Sequence, residues 1–265
     1  MAELSALVAR RELLADFAWR DLRARYKGSA LGFAWHFVMP LSQLVVFWIL
    51  FGVLFGVRPL TKSGEQPYAI FLFVGLLPWT YFANTLTAGA ASIVANAAIV
   101  KKVRLPLQLL PASAVLSSLV NFALTLVVLA AVLAAFGPRH VEALIYVPLL
   151  AAIQTLMGLG LAYLLAALNV FFRDVQHILG VLLMAWYFLT PVLFPVSIVA
   201  DRPTEHFLLY LNPMTAVVVG YQNALLDGIP PEWDALLWPV AFGVLVFVAG
   251  FAYFTRAKDD FEGAL

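Results

Sequence analysis

The chain has 265 residues and a net charge of +1. Hydrophobic residues make up 63% and charged ones 12%, against roughly 45–50% and about 25% in a soluble domain, which excludes a soluble fold; no nucleic-acid partner is expected. The chain has no cysteine, which excludes disulfides, thiolate metal sites and thiol nucleophiles.

Residues 3–26 carry the first helical pattern. Leu4, Leu7, Val8, Ala15, Ala18 and Leu22 share a face opposite Glu12, Asp16, Arg20 and Arg23. This predicts an amphipathic helix lying on the cytoplasmic membrane surface; the alternative is a solvated basic arm drawn to anionic lipid. Seven stretches then carry no Asp, Glu, Lys or Arg: 28–57, 66–100, 105–138, 143–172, 175–200, 206–226 and 235–255. About 20 apolar residues cross a hydrocarbon core as a helix. The pattern places spans at 34–57, 69–92, 111–136, 143–171, 176–195 and 235–255, with Pro40, Pro78 and Pro148 as kinks or ends. The second half of the second window is rich in small and hydroxyl residues and is expected to face protein. Residues 93–106 leave the membrane with Lys101, Lys102 and Arg104 and stop at Pro106. They read either as a short polar helix beneath the bilayer or as a plain positive anchor.

The seventh window, 206–226, is broken at Asn212–Pro213 and again at Gly220. Charge placement argues that it does not cross. Twelve of the 16 basic residues fall in the N-terminal arm, after the second and fourth windows and after the last; Arg58, Lys62, Arg139 and Arg202 fall in the alternate loops. The positive-inside rule then puts both termini in the cytoplasm and requires an even number of spans. The expected fold is all-α and integral to the membrane, with six spans and a re-entrant pair of short helices between spans five and six. It forms one domain over 1–265: an interfacial segment 1–33, the spans 34–255 and a cytoplasmic tail 256–265.

Chemistry inside the spans is sparse. They hold no Asp, Glu, Lys or Arg, and His36 and His177 lie only near span ends, whereas membrane catalysis and proton coupling retain buried ionisable groups. Gly56 to Ser63 has the frame of a phosphate-binding loop, but Thr61 replaces its second glycine. If energy drives this protein, another subunit or a gradient must supply it. Aromatics are the remaining signal: Trp79, Tyr81, Phe82, Trp186, Tyr187, Phe188, Tyr210 and Tyr221. Ring faces stack on sugar C–H faces and suit a moving glycan, while the competing reading is an interfacial aromatic belt.

Several motifs occur in order along the chain. Arg20-Asp21-Leu22-Arg23-Ala24-Arg25-Tyr26-Lys27-Gly28-Ser29-Ala30-Leu31-Gly32-Phe33-Ala34-Trp35 is followed by Met39-Pro40-Leu41 and Gly75-Leu76-Leu77-Pro78-Trp79. Then come Asn96 with Lys101-Lys102 and Pro106, Asn169-Val170-Phe171-Phe172-Arg173-Asp174, Thr190-Pro191-Val192-Leu193-Phe194 and Asn212-Pro213. Together they resemble type-2 ABC exporter permeases, which move polysaccharides such as O-antigen, capsule and wall teichoic acid.

The resemblance implies six spans, an amphipathic N-terminal helix, two short outward helices and a homodimeric channel. It also implies two copies of a separate ATPase, which bind ATP and Mg; this chain itself would hold no cofactor or metal and catalyse nothing. Asn96, Lys101, Lys102 and Arg104 resemble the coupling loop that docks on the ATPase, and the N-terminal helix with Asp21 and Arg25 a second docking surface. Tyr26 through Trp35 resemble the segment beside the cytoplasmic mouth for a lipid-linked sugar head. With Trp79, Tyr81, Phe82, Tyr187, Tyr210 and Tyr221 they would form the substrate path. The expected function is the membrane subunit of an ATP-driven exporter of a lipid-linked polysaccharide, in the plasma or inner membrane. The rivals are a permease for a drug or small lipid and a membrane-embedded glycosyl- or acyltransferase.

Overall fold

The computed structural model describes residues 11–26, 34–56, 58–102, 106–137 and 140–265. Helix α1 (Arg11–Tyr26) precedes α2 (Trp35–Phe47), whose last turns widen into a π-helix over Trp48–Leu54. A two-stranded antiparallel hairpin, β1 (Leu60–Thr61) and β2 (Gly64–Glu65), pairs Leu60 with Glu65 and leads into α3 (Tyr68–Ala91). A single 3-10 turn (Val94–Asn96) and the short α4 (Ala97–Val100) follow. Helices α5 (Leu109–Phe136), α6 (Tyr146–Phe171), α7 (Val175–Phe188), α8 (Pro203–Leu211), α9 (Pro213–Gln222), α10 (Trp233–Ala257) and α11 (Phe261–Ala264) complete the chain.

Among the described residues, five helical segments are long and apolar enough to cross a membrane: Phe37–Leu54, Tyr68–Ala91, Leu109–Phe136, Glu142–Phe171 and Trp233–Asp260. The fifth predicted span, 176–195, yields only the fourteen-residue α7, about 21 Å at 1.5 Å per residue. Its stop has a local cause. The Thr190 hydroxyl donates to the Trp186 carbonyl at 2.8 Å, and Pro191 supplies no N–H to continue the ladder. The window 206–226 forms no continuous helix, and its break lies at Asn212–Pro213 as expected. Gly220 is not a second break: α9 runs through it, and a Cβ there would stand 2.8 Å from Leu150 Cδ2, so the glycine serves close packing.

Helix α3 is the hub, packed against α5, α6, α7 and α9, while α10 lies along α6. Lipid tails supply no hydrophobic drive between helices, so small residues and interhelical bonds decide which helices meet. A Cβ on Gly89 would overlap Ala162 of α6, and one on Gly250 would overlap the Gly160 carbonyl. Two clusters result. The larger surrounds α3; the smaller joins Ile93, Val100, Leu110, Tyr163, Phe254 and Phe261, with Phe17 of α1 packed on it. Phe17 and Phe261 therefore bring the two described ends of the chain to one end of the bundle, away from the β1–β2 hairpin.

The face of α1 is corrected in detail. Ala18 and Leu22 are buried as expected, but Ala15 is exposed and Phe17, off the predicted stripe, packs inward. The cause is tertiary: α1 packs against α5, and that neighbour selects the stripe. The part of the predicted helix before residue 11 lies outside the described residues.

Candidate functional site

At the end of the bundle that carries α1, two of the sequence-designated surfaces meet. Arg20 Nη2 donates to Asn96 Oδ1 at 2.9 Å, and Asn96 Nδ2 donates to the Ser92 carbonyl at 2.8 Å. Asn96 is thus tied both to α1 and to the C-terminal end of α3. The Arg20 guanidinium also sits 4.6 Å from the Phe17 ring centroid, a cation–π contact that orients it. Lys101 and Lys102 stand exposed in the turn after α4, and Asp21 is half-buried on α1. Arg104 lies outside the described residues, as do the side chains of Arg25 and Tyr26.

Arg20 belongs to the polar face and opens the first motif but is not among the expected docking residues; the structure places it on Asn96. A second missed residue is Asn169, 2% exposed, whose Nδ2 donates to the Ala90 carbonyl at 2.9 Å and clamps the end of α6 to the end of α3. Both belong to motifs quoted above, the Arg20 run and the Asn169 run; the motif was the available signal.

The aromatic residues separate into two groups. Trp79, Tyr81, Phe82 and Tyr221 are buried within the chain, because α3 and α9 are enclosed by their neighbours. Tyr81 stacks on Phe122 at 4.7 Å and its hydroxyl lies 2.7 Å from Thr155 Oγ1; Phe82 meets Trp186 edge-on at 5.2 Å. As free faces for a passing ligand these four are withdrawn in this conformation. Trp35, Tyr187 and Tyr210 are half-buried; the Tyr187 ring lies 5.7 Å from that of Trp79 and the Tyr210 ring stacks on His206 at 4.7 Å.

Asn212 fixes the junction of α8 and α9. Its Oδ1 accepts from Trp186 Nε1 at 2.7 Å and from the Met214 amide at 3.0 Å. Its Nδ2 donates to the Leu189 carbonyl at 3.1 Å and to Thr190 Oγ1 at 2.9 Å. One amide thereby caps α9 and pins it to the end of α7. Near the hairpin, Lys62 Nζ lies 2.7 Å from Glu232 Oε1, and Lys62 and Ser63 form the turn between two strands; no phosphate-cradling loop forms there.

Comparison with known proteins agrees over most of the chain. The model of the ABC-2 type transporter family matches residues 14–226. The O-antigen export system permease protein RfbA of Myxococcus xanthus is 36% identical over 255 residues, covering 96% of both chains. A protein of the same name from Klebsiella pneumoniae is 27% identical over 256 residues, covering 96% of this chain and 95% of its own. The polysialic acid transport protein KpsM of Escherichia coli is 22% identical over 243 residues, 91% of each chain.

Proposed function

The chain belongs to the ABC-2 type transporter family, and from that premise we propose that it is the membrane subunit of an ATP-driven exporter of a lipid-linked polysaccharide. The observation that carries this reading is the 36% identity over nearly the whole length of a protein named as an O-antigen export permease. The more distant relative named for polysialic acid transport supports a glycan cargo over a drug or small lipid.

In this reading the chain is one multi-pass membrane domain, 1–265, with both termini cytoplasmic, as the distribution of basic residues supports. The segment from α7 through Val192 makes a sixth crossing, and α8 with α9 dips in from the outer side. Such irregular backbone is tolerated in a membrane where protein satisfies it, which the four hydrogen bonds of Asn212 do. Two copies of the chain enclose the channel, and two copies of a separate ATPase hold ATP and Mg. Asp21, Arg25, Asn96, Lys101, Lys102 and Arg104 form the docking surface.

The Arg20–Asn96–Ser92 chain of bonds gives that surface a mechanical output. A displacement of the loop by the ATPase moves α1 and the end of α3 together, and α3 carries it into the core. Tyr26, Trp35, Tyr187 and Tyr210 line the route, with Trp79, Tyr81, Phe82 and Tyr221 as its packed backing. The test is co-purification with the ATPase encoded beside this chain, followed by ATP-dependent glycan export in proteoliposomes. A chain that binds no ATPase, or a complex that moves no glycan, sinks the proposal.

A further inference from the structure

At the hairpin end, several segments close around a cavity of about 400 Å³, within the range of about 300–1,000 Å³ common for small-molecule sites. The hairpin, the turn before α8, α8 itself and the end of α9 supply its walls. Cross-links hold these walls in place without a ligand. The Ser63 amide and hydroxyl donate to Asp227 Oδ1 at 2.9 and 2.6 Å, and Ser197 Oγ donates to the Leu60 carbonyl at 3.1 Å.

The lining selects among ligand chemistries. Lys62 is paired with Glu232, and the carboxylates of Glu232 and Asp227 both border the cavity, so an anion meets like charge. Among the described residues no group of three metal-ligating side chains is present, which leaves a bare divalent ion without a coordination set. Phe71 and Val219 give an apolar floor, while His206 and Tyr210, stacked with ring centroids 4.7 Å apart, provide an aromatic wall. Asn223 also lines the cavity; it is 3% exposed and its Nδ2 has no hydrogen-bond partner. A buried donor left unpaired is destabilising until something accepts from it.

We propose that this cavity binds a single neutral sugar ring, with a C–H face against the His206–Tyr210 wall and a ring oxygen or hydroxyl accepting from Asn223 Nδ2. The site lies on the outer side in the proposed orientation, so it would hold a glycan unit as it emerges. This deepens the polysaccharide reading and rests on it only for the source of the sugar.

The test is saturation-transfer NMR of neutral hexoses and linear disaccharides with the full chain in lipid nanodiscs. Transfer to the wild type is expected. Tyr210→Ala should weaken binding about five- to tenfold. Ala200→Trp, which fills the cavity from an exposed turn, should abolish it while leaving the native walls intact. No transfer to the wild type, as for a cavity that holds only water, overturns the proposal. So does equal transfer to the wild type and both variants, because binding then lies elsewhere. Glycan export by the wild-type complex is read in parallel. Export without sugar binding removes the cavity proposal alone, and sugar binding without export removes the transport reading and leaves the cavity.

Discussion

Helices α2 and α3 are both apolar enough to cross a membrane, yet 83% of the α3 window is buried, whereas most residues of Phe37–Leu54 are exposed or half-buried, with Phe37, Leu44, Phe47 and Phe51 resting on the core. The more apolar of the two is the exposed one. In water that order would be perverse; in lipid it follows, because exposing Ile49, Val53 or Leu54 to acyl chains costs nothing. What draws α3 to the centre is shape and bonding: Gly89 against Ala162, Thr85 against Gly158, and Asn169 bonded to the Ala90 carbonyl. Small and hydroxyl residues allow that approach, and large apolar ones at the surface do not require it.

Substitutions at matched positions can break this comparison. The largest difference is expected between Gly89→Leu and Gly52→Leu. The first drives a side chain into the backbone of Ala162, whereas the second meets only the Trp48 side chain on an exposed face. Overpacking of a tight helix contact costs on the order of 1–3 kcal/mol or more, so Gly89→Leu should lose the monodisperse folded peak in detergent chromatography and Gly52→Leu should keep it. Equal behaviour would mean that α3 is not the packed hub. Next, Phe82→Ala should cost about 3–5 kcal/mol in reversible unfolding, since Phe82 is 0% exposed. Ile49→Ala, at 52% exposure, should stay within about 0.5 kcal/mol.

A smaller effect on stability but a clear one on transport is expected where α3 meets the proposed docking surface. Arg20→Ala removes one exposed hydrogen bond to Asn96, worth roughly 1 kcal/mol. If the bond couples ATP hydrolysis to α3, export by the reconstituted complex should fall about tenfold while the ATPase still co-purifies. Unchanged export in Arg20→Ala would remove the coupling role and leave the bond as packing.

The contrast between the two helices also marks what a sequence discloses. Each end of α3, α5 and α10 was legible to within about two residues, because runs free of charge end where water begins. The second half of α3 was expected to face protein from its small residues, and Thr85, Leu86, Gly89 and Ala90 are buried there while Thr87 is exposed. Its first half, Tyr68 to Trp79, is buried throughout although it reads like any lipid-facing run: hydropathy does not distinguish lipid from neighbouring protein. The same limit hid the burial of Tyr81, Phe82 and Tyr221. The early stop of α7 depended on the Thr190–Pro191 pair inside a run that stays apolar to residue 200. Gly220 was misread as a break because packing glycines and terminating glycines are the same residue in the sequence. Of the candidate site, the loop and helix were recognisable by motif, but the bond joining Arg20 to Asn96 spans 76 positions and required the fold.

The smallest expected effect on stability is the most informative about assembly. With no native cysteine in the chain, a single introduced thiol reports without background. Val53→Cys, at 64% exposure on α2, should react with a membrane-permeant maleimide and barely change stability; Val74→Cys, at 0% exposure on α3, should not react in the folded protein. Under mild oxidation Val53→Cys should also form a disulfide-linked dimer if the exposed face of this segment, with Val46, Ile49 and Val53, is where the second copy of the proposed homodimer packs. Labelling of Val53→Cys without cross-linking would assign α2 to lipid. In the proposed homodimer the contact between copies would then lie on another exposed surface, such as α7 at Val181, Leu182 and Met184 or α10 at Leu237, Leu245 and Val248.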